Sequence, residues 1–132
     1  MPKVVSIHSY RGGTGKSNFT ANLATTVAMQ GFRVGVVDMD LPSPGIHNIF
    51  DLDLAKAPKT LNSYLWGEAP IEATAYDVTA AAGITGQGTL LLVPSSVKPD
   101  DIAKILKNGY DVKLLNDGFR QLVKGLELDY LF

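Results

Sequence analysis

The chain has 132 residues, 45% of them hydrophobic and 19% charged, a composition that describes a globular domain with enough length to bury a core. Twelve basic residues against thirteen acidic ones leave a formal charge of −1, so no global electrostatic argument favours nucleic acid, an anionic membrane or an acidic substrate. There is no cysteine, which excludes disulfides and cluster-holding thiolates within these residues, and no stretch approaches the ~18 apolar residues of a membrane span.

Met1-Pro2-Lys3 leads without an apolar leader segment into Val4-Val5-Ser6-Ile7, a short β-branched run that predicts a buried strand, and the chain reads as cytoplasmic. Tyr10-Arg11-Gly12-Gly13-Thr14-Gly15-Lys16-Ser17 follows. Phe19, Leu23 and Val27 then recur at helical spacing beside Ala24 and Ala28, predicting a helix from Lys16 to Gln30 that Gly31 closes as its C′ residue. A glycine-rich loop between a strand and a helix is built to hold phosphate. Gly12, Gly13, Thr14 and Gly15 offer backbone N–H groups at close approach, the helix start adds its positive dipole end, and Asn18 follows in the first turn. Lys16 can reach the β- and γ-phosphates, and the Ser17 hydroxyl can ligate a Mg²⁺ that bridges them. One alternative is a dinucleotide fold, since Gly13-Thr14-Gly15 follows a strand and Asp38 lies about 20 residues on. Asn18 stands where that fingerprint needs its third glycine, and Lys16-Ser17 has no role in it.

Arg33-Val34-Gly35-Val36-Val37-Asp38 predicts the second strand, and the resulting right-handed βαβ unit brings Asp38 and Asp40 beside the phosphate loop. Two prolines and a glycine keep Asp38-Met39-Asp40-Leu41-Pro42-Ser43-Pro44-Gly45 out of regular structure; a solvated strand-end turn is the bland alternative. Thr60 to Trp66 is expected as a short helix capped by Thr60 and stopped by Gly67, and Pro70 to Tyr76 as another opened by proline. His47, Tyr64, Trp66 and Tyr76 are expected to pack or lie at the surface, with no site role. Gly83 to Gly88 reads as a turn, Thr89 to Pro94 as a third strand, and Pro99 to Asn108 as a helix with Ile102, Ile105 and Leu106 on one face, closed by Gly109. The stripe Val112, Leu115, Phe119, Leu122 predicts an amphipathic helix over Asp111 to Lys124, packed on the sheet and not on a membrane, before a last strand, Leu128 to Phe132.

The loop departs from the ordinary Walker A pattern: Tyr10 occupies the first glycine's place, and Gly12-Gly13 follows a basic residue. In this it resembles the deviant Walker motif of the ParA/MinD family of P-loop ATPases. The resemblance implies an α/β P-loop NTPase with a mostly parallel, Rossmann-like three-layer sheet, using ATP and Mg²⁺. It also implies an ATP-dependent homodimer, an activating partner protein, and a role in positioning or partitioning cargo on DNA or a membrane through regions not in this chain. Arg11 stands where the family has a signature lysine that reaches across the dimer. Arginine keeps the charge but presents a planar fork. By the same resemblance Lys16, Asp40 and Arg11 are the catalytic set, with Asp40 orienting water in switch I, while Ser17 and Asp38 serve the magnesium shell. Residues 1–132 would be the N-terminal part of one P-loop domain, ending after the fourth parallel strand and before the Walker B aspartate, so that this portion alone is expected to be inactive. A nucleotide-gripping regulatory module without turnover and a ligase of the dethiobiotin-synthetase type stay open as alternatives, whereas the lack of cysteine argues against a nitrogenase-type reductase.

Overall fold

The computed structural model describes residues 2–6 and 16–132, Lys16 by its backbone alone, so Ile7 and the loop residues Arg11, Gly12, Gly13, Thr14 and Gly15 lie outside the described residues. In chain order the elements are β1 (Lys3–Val4), α1 (Lys16–Met29), β2 (Arg33–Val37), α2 (Ile46–Ile49), α3 (Leu61–Leu65), β3 (Tyr76–Asp77), β4 (Thr89–Val93), α4 (Pro99–Asn108), α5 (Val112–Gly125) and β5 (Tyr130–Leu131). Single 3₁₀ turns occupy Leu54–Lys56 and Ile71–Thr74.

The strands form one sheet in the order β1-β5-β2-β4-β3, parallel throughout except where β3 runs antiparallel to β4. Because side chains alternate along a strand, β2 and β4 serve two cores at once. Val34, Val36, Leu90 and Leu92 meet the alanine face of α1, whereas Val37 and Val93 meet Leu61, Leu115 and Leu122 from α3 and α5. A parallel sheet covered by helices on both faces is the expected three-layer α/β arrangement.

Local chemistry explains most boundaries. Gly31 ends α1 at φ +100, Gly109 ends α4 at φ +66, and the Asp111 carboxylate accepts the N–H groups of Lys113 and Leu114 at 2.9 and 3.3 Å to open α5. Ser63 Oγ accepts the Thr60 N–H at 3.1 Å at the start of α3, and Gly67 follows it at φ +74. The last strand pairs beyond its two ladder residues, since the Asp129 N–H donates to the Arg33 carbonyl at 2.7 Å and the Phe132 N–H to Gly35 at 2.9 Å.

Three expectations are corrected. The segment from Pro70 to Tyr76 is not a helix: it makes one 3₁₀ turn, in which the Thr74 hydroxyl bonds the Ile71 carbonyl at 2.6 Å, and then extends into β3 along the edge of β4. The buried face of α1 is Ala21, Ala24 and Ala28, while Phe19 is 57% exposed. Small side chains win there because α1 lies so close to the turn before β4 that a Cβ on Gly88 would stand 1.7 Å from the Ala28 carbonyl oxygen. Finally β1 is not a buried strand: it sits at the sheet's edge, and Val4 is 58% exposed.

Candidate functional site

The carboxyl ends of β1, β5 and β2 open on a cleft of about 340 Å³. Ser17 and Thr20 reach it from the first turns of α1, Asp38 and Asp40 from the loop after β2, and Phe119 and Phe132 give it an apolar wall. In parallel α/β sheets ligands bind in such crevices, where strand ends and helix starts converge.

Asp38 is almost fully buried, 1% exposed, and works first as a clamp on its own loop. One carboxylate oxygen accepts the N–H groups of Gly45 and Ile46 at 3.0 and 3.1 Å, and the other accepts that of Asp40 at 3.2 Å. Burial holds this carboxyl above the usual carboxylate range, the N–H bonds from Ile46, Asp40 and Gly45 pull part of the way back, and the charge of Asp40 pushes upward again. A buried acid compensated only by amide dipoles favours a cation beside it. Asp40 is half-buried, and one of its carboxylate oxygens accepts the Ser43 N–H at 3.2 Å, a turn that Pro42 and Pro44 help to hold.

Of the residues singled out in the sequence, Ser17, Asp38 and Asp40 share this cleft, whereas Asn18 is exposed in the first turn of α1. Lys16 begins that helix. Thr20 was not singled out, although it lies one turn beyond Ser17 and so on the same face. Ser95 was missed as well: it is fully buried after β4, and its hydroxyl donates to the Asp38 carbonyl at 2.6 Å. The register that sets Val37 beside Val93 foreshadows that contact, but only once the two strands are known to pair.

The oxygen donors of the cleft, the hydroxyls of Ser17 and Thr20 and the carboxylates of Asp38 and Asp40, suit a hard cation such as Mg²⁺ and a phosphate chain. Among the described residues no group of three or more His, Cys, Asp or Glu is placed to hold a metal ion. A second cleft of about 480 Å³ lies between the segment 54–68 and residues 96–101. Trp66, under the Lys104 ammonium at 4.1 Å, lines it, as does Asn62, whose oxygen accepts the Ser96 N–H at 2.8 Å. Tyr64 instead packs in the core and bonds the Leu114 carbonyl at 2.7 Å, and the Tyr76 hydroxyl bridges the Lys59 N–H and carbonyl. No described helix is long and apolar enough to cross a membrane.

Residues 1–108 match the ParA family model, described as NUBPL iron-transfer P-loop NTPase. An uncharacterised ATP-binding protein of Methanocaldococcus jannaschii is 32% identical over 112 residues, 85% of this chain and 42% of that protein. A cytosolic Fe-S cluster assembly factor of Aspergillus fumigatus is 36% identical over 87 residues, 66% of this chain and 26% of that one. The septum site-determining protein MinD of Pyrococcus horikoshii, solved with Mg-ADP, superposes with a TM-score of 0.77 at 27% identity, over 99% of this chain and 47% of that one. The chain thus spans less than half the length of each of these relatives. A family match across more than three quarters of the residues, on a mostly parallel sheet whose strand ends gather hydroxyls and carboxylates, establishes that the chain belongs to the ParA family of P-loop NTPases, proteins that use Mg²⁺-nucleotide.

Proposed function

We propose that the protein is a cytoplasmic Mg²⁺-ATP-dependent ATPase that works as a dimerisation switch, two copies closing around ATP and separating after hydrolysis to hold and release a cargo. The observation that carries this reading is the convergence of Ser17, Thr20, Asp38 and Asp40 on one cleft at the strand ends. In it Gly12, Gly13, Thr14 and Gly15 supply backbone N–H groups to phosphate, with Asn18 beside them, and Lys16 supplies the cation. Arg11 contacts the partner copy's phosphates. Ser17 and Asp38 hold the Mg²⁺ shell, and the bound metal would neutralise charge developing on the phosphates. Asp40, on a loop fixed by Asp38, orients the attacking water.

Two cargoes are in view. Positioning of a partner at DNA or a membrane, with an activating protein to trigger hydrolysis, follows the likeness to MinD. Carriage of an iron–sulfur cluster is favoured by the matched family description and by relatives named as Fe-S assembly factors or carriers. These 132 residues contain no cysteine, so in that case thiolates from elsewhere must hold the cluster.

The test is made on the full-length protein. Phosphate release should require Mg²⁺, light scattering should report a dimer with ATP and a monomer with ADP, and Lys16→Ala should abolish both. Absence of turnover with retained nucleotide binding would favour the regulatory-module reading. Anaerobic reconstitution with iron and sulfide, followed by transfer to an apo acceptor, separates the cargoes: failure to take up a cluster would leave the positioning role.

A further inference from the structure

Ser95 stands at a junction that the reading above does not use. Its hydroxyl is fully buried and donates to the Asp38 carbonyl at 2.6 Å, while the Asp38 N–H donates to the Val93 carbonyl at 3.0 Å. The flanking residues tie the same corner to two helices. The Pro94 carbonyl accepts the Leu61 N–H at 2.7 Å from α3, the Ser96 N–H goes to the Asn62 oxygen, and the Ser96 hydroxyl bonds the Asp101 carboxylate at 2.5 Å in the first turn of α4. The segment Pro94-Ser95-Ser96 is therefore a buried polar hub, anchored on one side by helices and on the other by the loop that carries Asp38 and Asp40.

The consequence lies in what a carbonyl bond fixes. The Asp38 carbonyl belongs to the peptide plane joining Asp38 to Met39, and that plane sets the direction in which the chain leaves β2 toward Asp40. With the Asp38 N–H held by Val93 and its carbonyl by Ser95, its carboxylate is aimed at the N–H groups of Asp40, Gly45 and Ile46. Without the Ser95 hydroxyl the carbonyl is left buried and short of its donor, and rotation of the plane toward another partner becomes the cheaper arrangement. We propose that Ser95 is a positioning residue that holds the Asp38–Ile46 loop, and through it Asp40, in register with the nucleotide cleft. This rests on the reading of that cleft as an ATPase site, but its first test does not.

In the nucleotide-free full-length protein, hydrogen exchange of the Asp40, Gly45 and Ile46 amides should quicken about tenfold in Ser95→Ala, the effect of losing one buried hydrogen bond, with β2 and β4 unchanged. Ser95→Cys fills the same space with a much weaker donor and should behave like alanine. Under saturating Mg²⁺-ATP both variants should lose kcat about tenfold with KM kept within about twofold, as expected for a group that acts on transition-state geometry. Unchanged exchange at the three amides, a Cys variant that matches wild type, equal loosening of the strands, or a change confined to KM would each overturn the proposal. Should the wild type fail to hydrolyse ATP, the ATPase reading falls while the exchange measurement still decides the role of Ser95.

Discussion

Two carboxylates two residues apart in sequence differ in what surrounds them. Asp38 is buried and spends its oxygens on three backbone N–H groups; Asp40 is half-buried at the mouth of the cleft. Replacing Asp40 by alanine in the full-length protein should therefore leave ATP affinity nearly intact and slow hydrolysis by ~10- to 100-fold, because orienting water matters in the transition state more than in ground-state binding. Nucleotide titration beside single-turnover kinetics checks this, and a proportional loss of both would make Asp40 structural or metal-holding. The raised pKa of Asp38 makes a second prediction. A carboxyl whose folded pKa lies above its unfolded value binds its proton more tightly when folded, so its contribution to stability is greatest at low pH and is lost as pH rises through the folded pKa. Without Mg²⁺-nucleotide, wild type should lose stability relative to Asp38→Asn, measured by urea unfolding, as pH climbs above the ordinary carboxylate range. A gap independent of pH would show that the buried carboxyl does not titrate there.

At the scale of elements, the packing of α1 and β2 rests on missing side chains. A Cβ on Gly88 would lie 1.7 Å from the backbone carbonyl oxygen of Ala28, and one on Gly35 would lie 2.7 Å from the tip of Leu128. The first obstacle is main chain within a helix; the second is the end of a flexible side chain. Gly88→Ala should accordingly cost at least ~3 kcal/mol of folding stability, while Gly35→Ala should cost about 1–2 kcal/mol, within the ordinary range for overpacking. Denaturant unfolding of the two variants ranks them, and the reverse order would mean that α1 moves away from the sheet more easily than Leu128 repacks. The same close approach explains why the alanines, and not Phe19, face the core: a larger side chain on that buried face would push the helix off the sheet. The stripe of α5 behaves differently, since Leu115 and Leu122 are buried and Phe119 reaches the cleft, but Val112, in the first turn, is 60% exposed.

For the whole molecule the decisive feature is the strand order. β1, which feeds the phosphate loop, pairs with β5 on one side, and among the described residues nothing pairs with its other edge. Open strand edges with apolar side chains template association. The 132-residue chain by itself should self-associate in light scattering, melt broadly and show no ATP turnover above background. Val4→Lys, which puts a charge at this 58% exposed edge position, should reduce the association without restoring turnover. A monodisperse chain with a sharp melt would show that the edge of β1 is not an association surface.

What the sequence determined by itself is what short-range physics writes into contiguous residues. The stops at Gly31, Gly67 and Gly109, the proline and aspartates opening α4, and the carboxylates after β2 are each local and all legible. Four parallel strands follow from apolar runs separated by helix-length segments, and the three-layer arrangement from the resemblance of the loop to the ParA/MinD motif. The tertiary structure decided what depends on partners far along the chain. Nothing in Tyr76-Asp77 announces a strand until β4 offers it an edge, and nothing in α1 says which of two apolar faces is inward until Gly88 lets the helix approach. Ser95 acquires meaning only when β2 and β4 pair in register, because a hydroxyl's role is set by the carbonyl it meets, here 57 residues away in the chain.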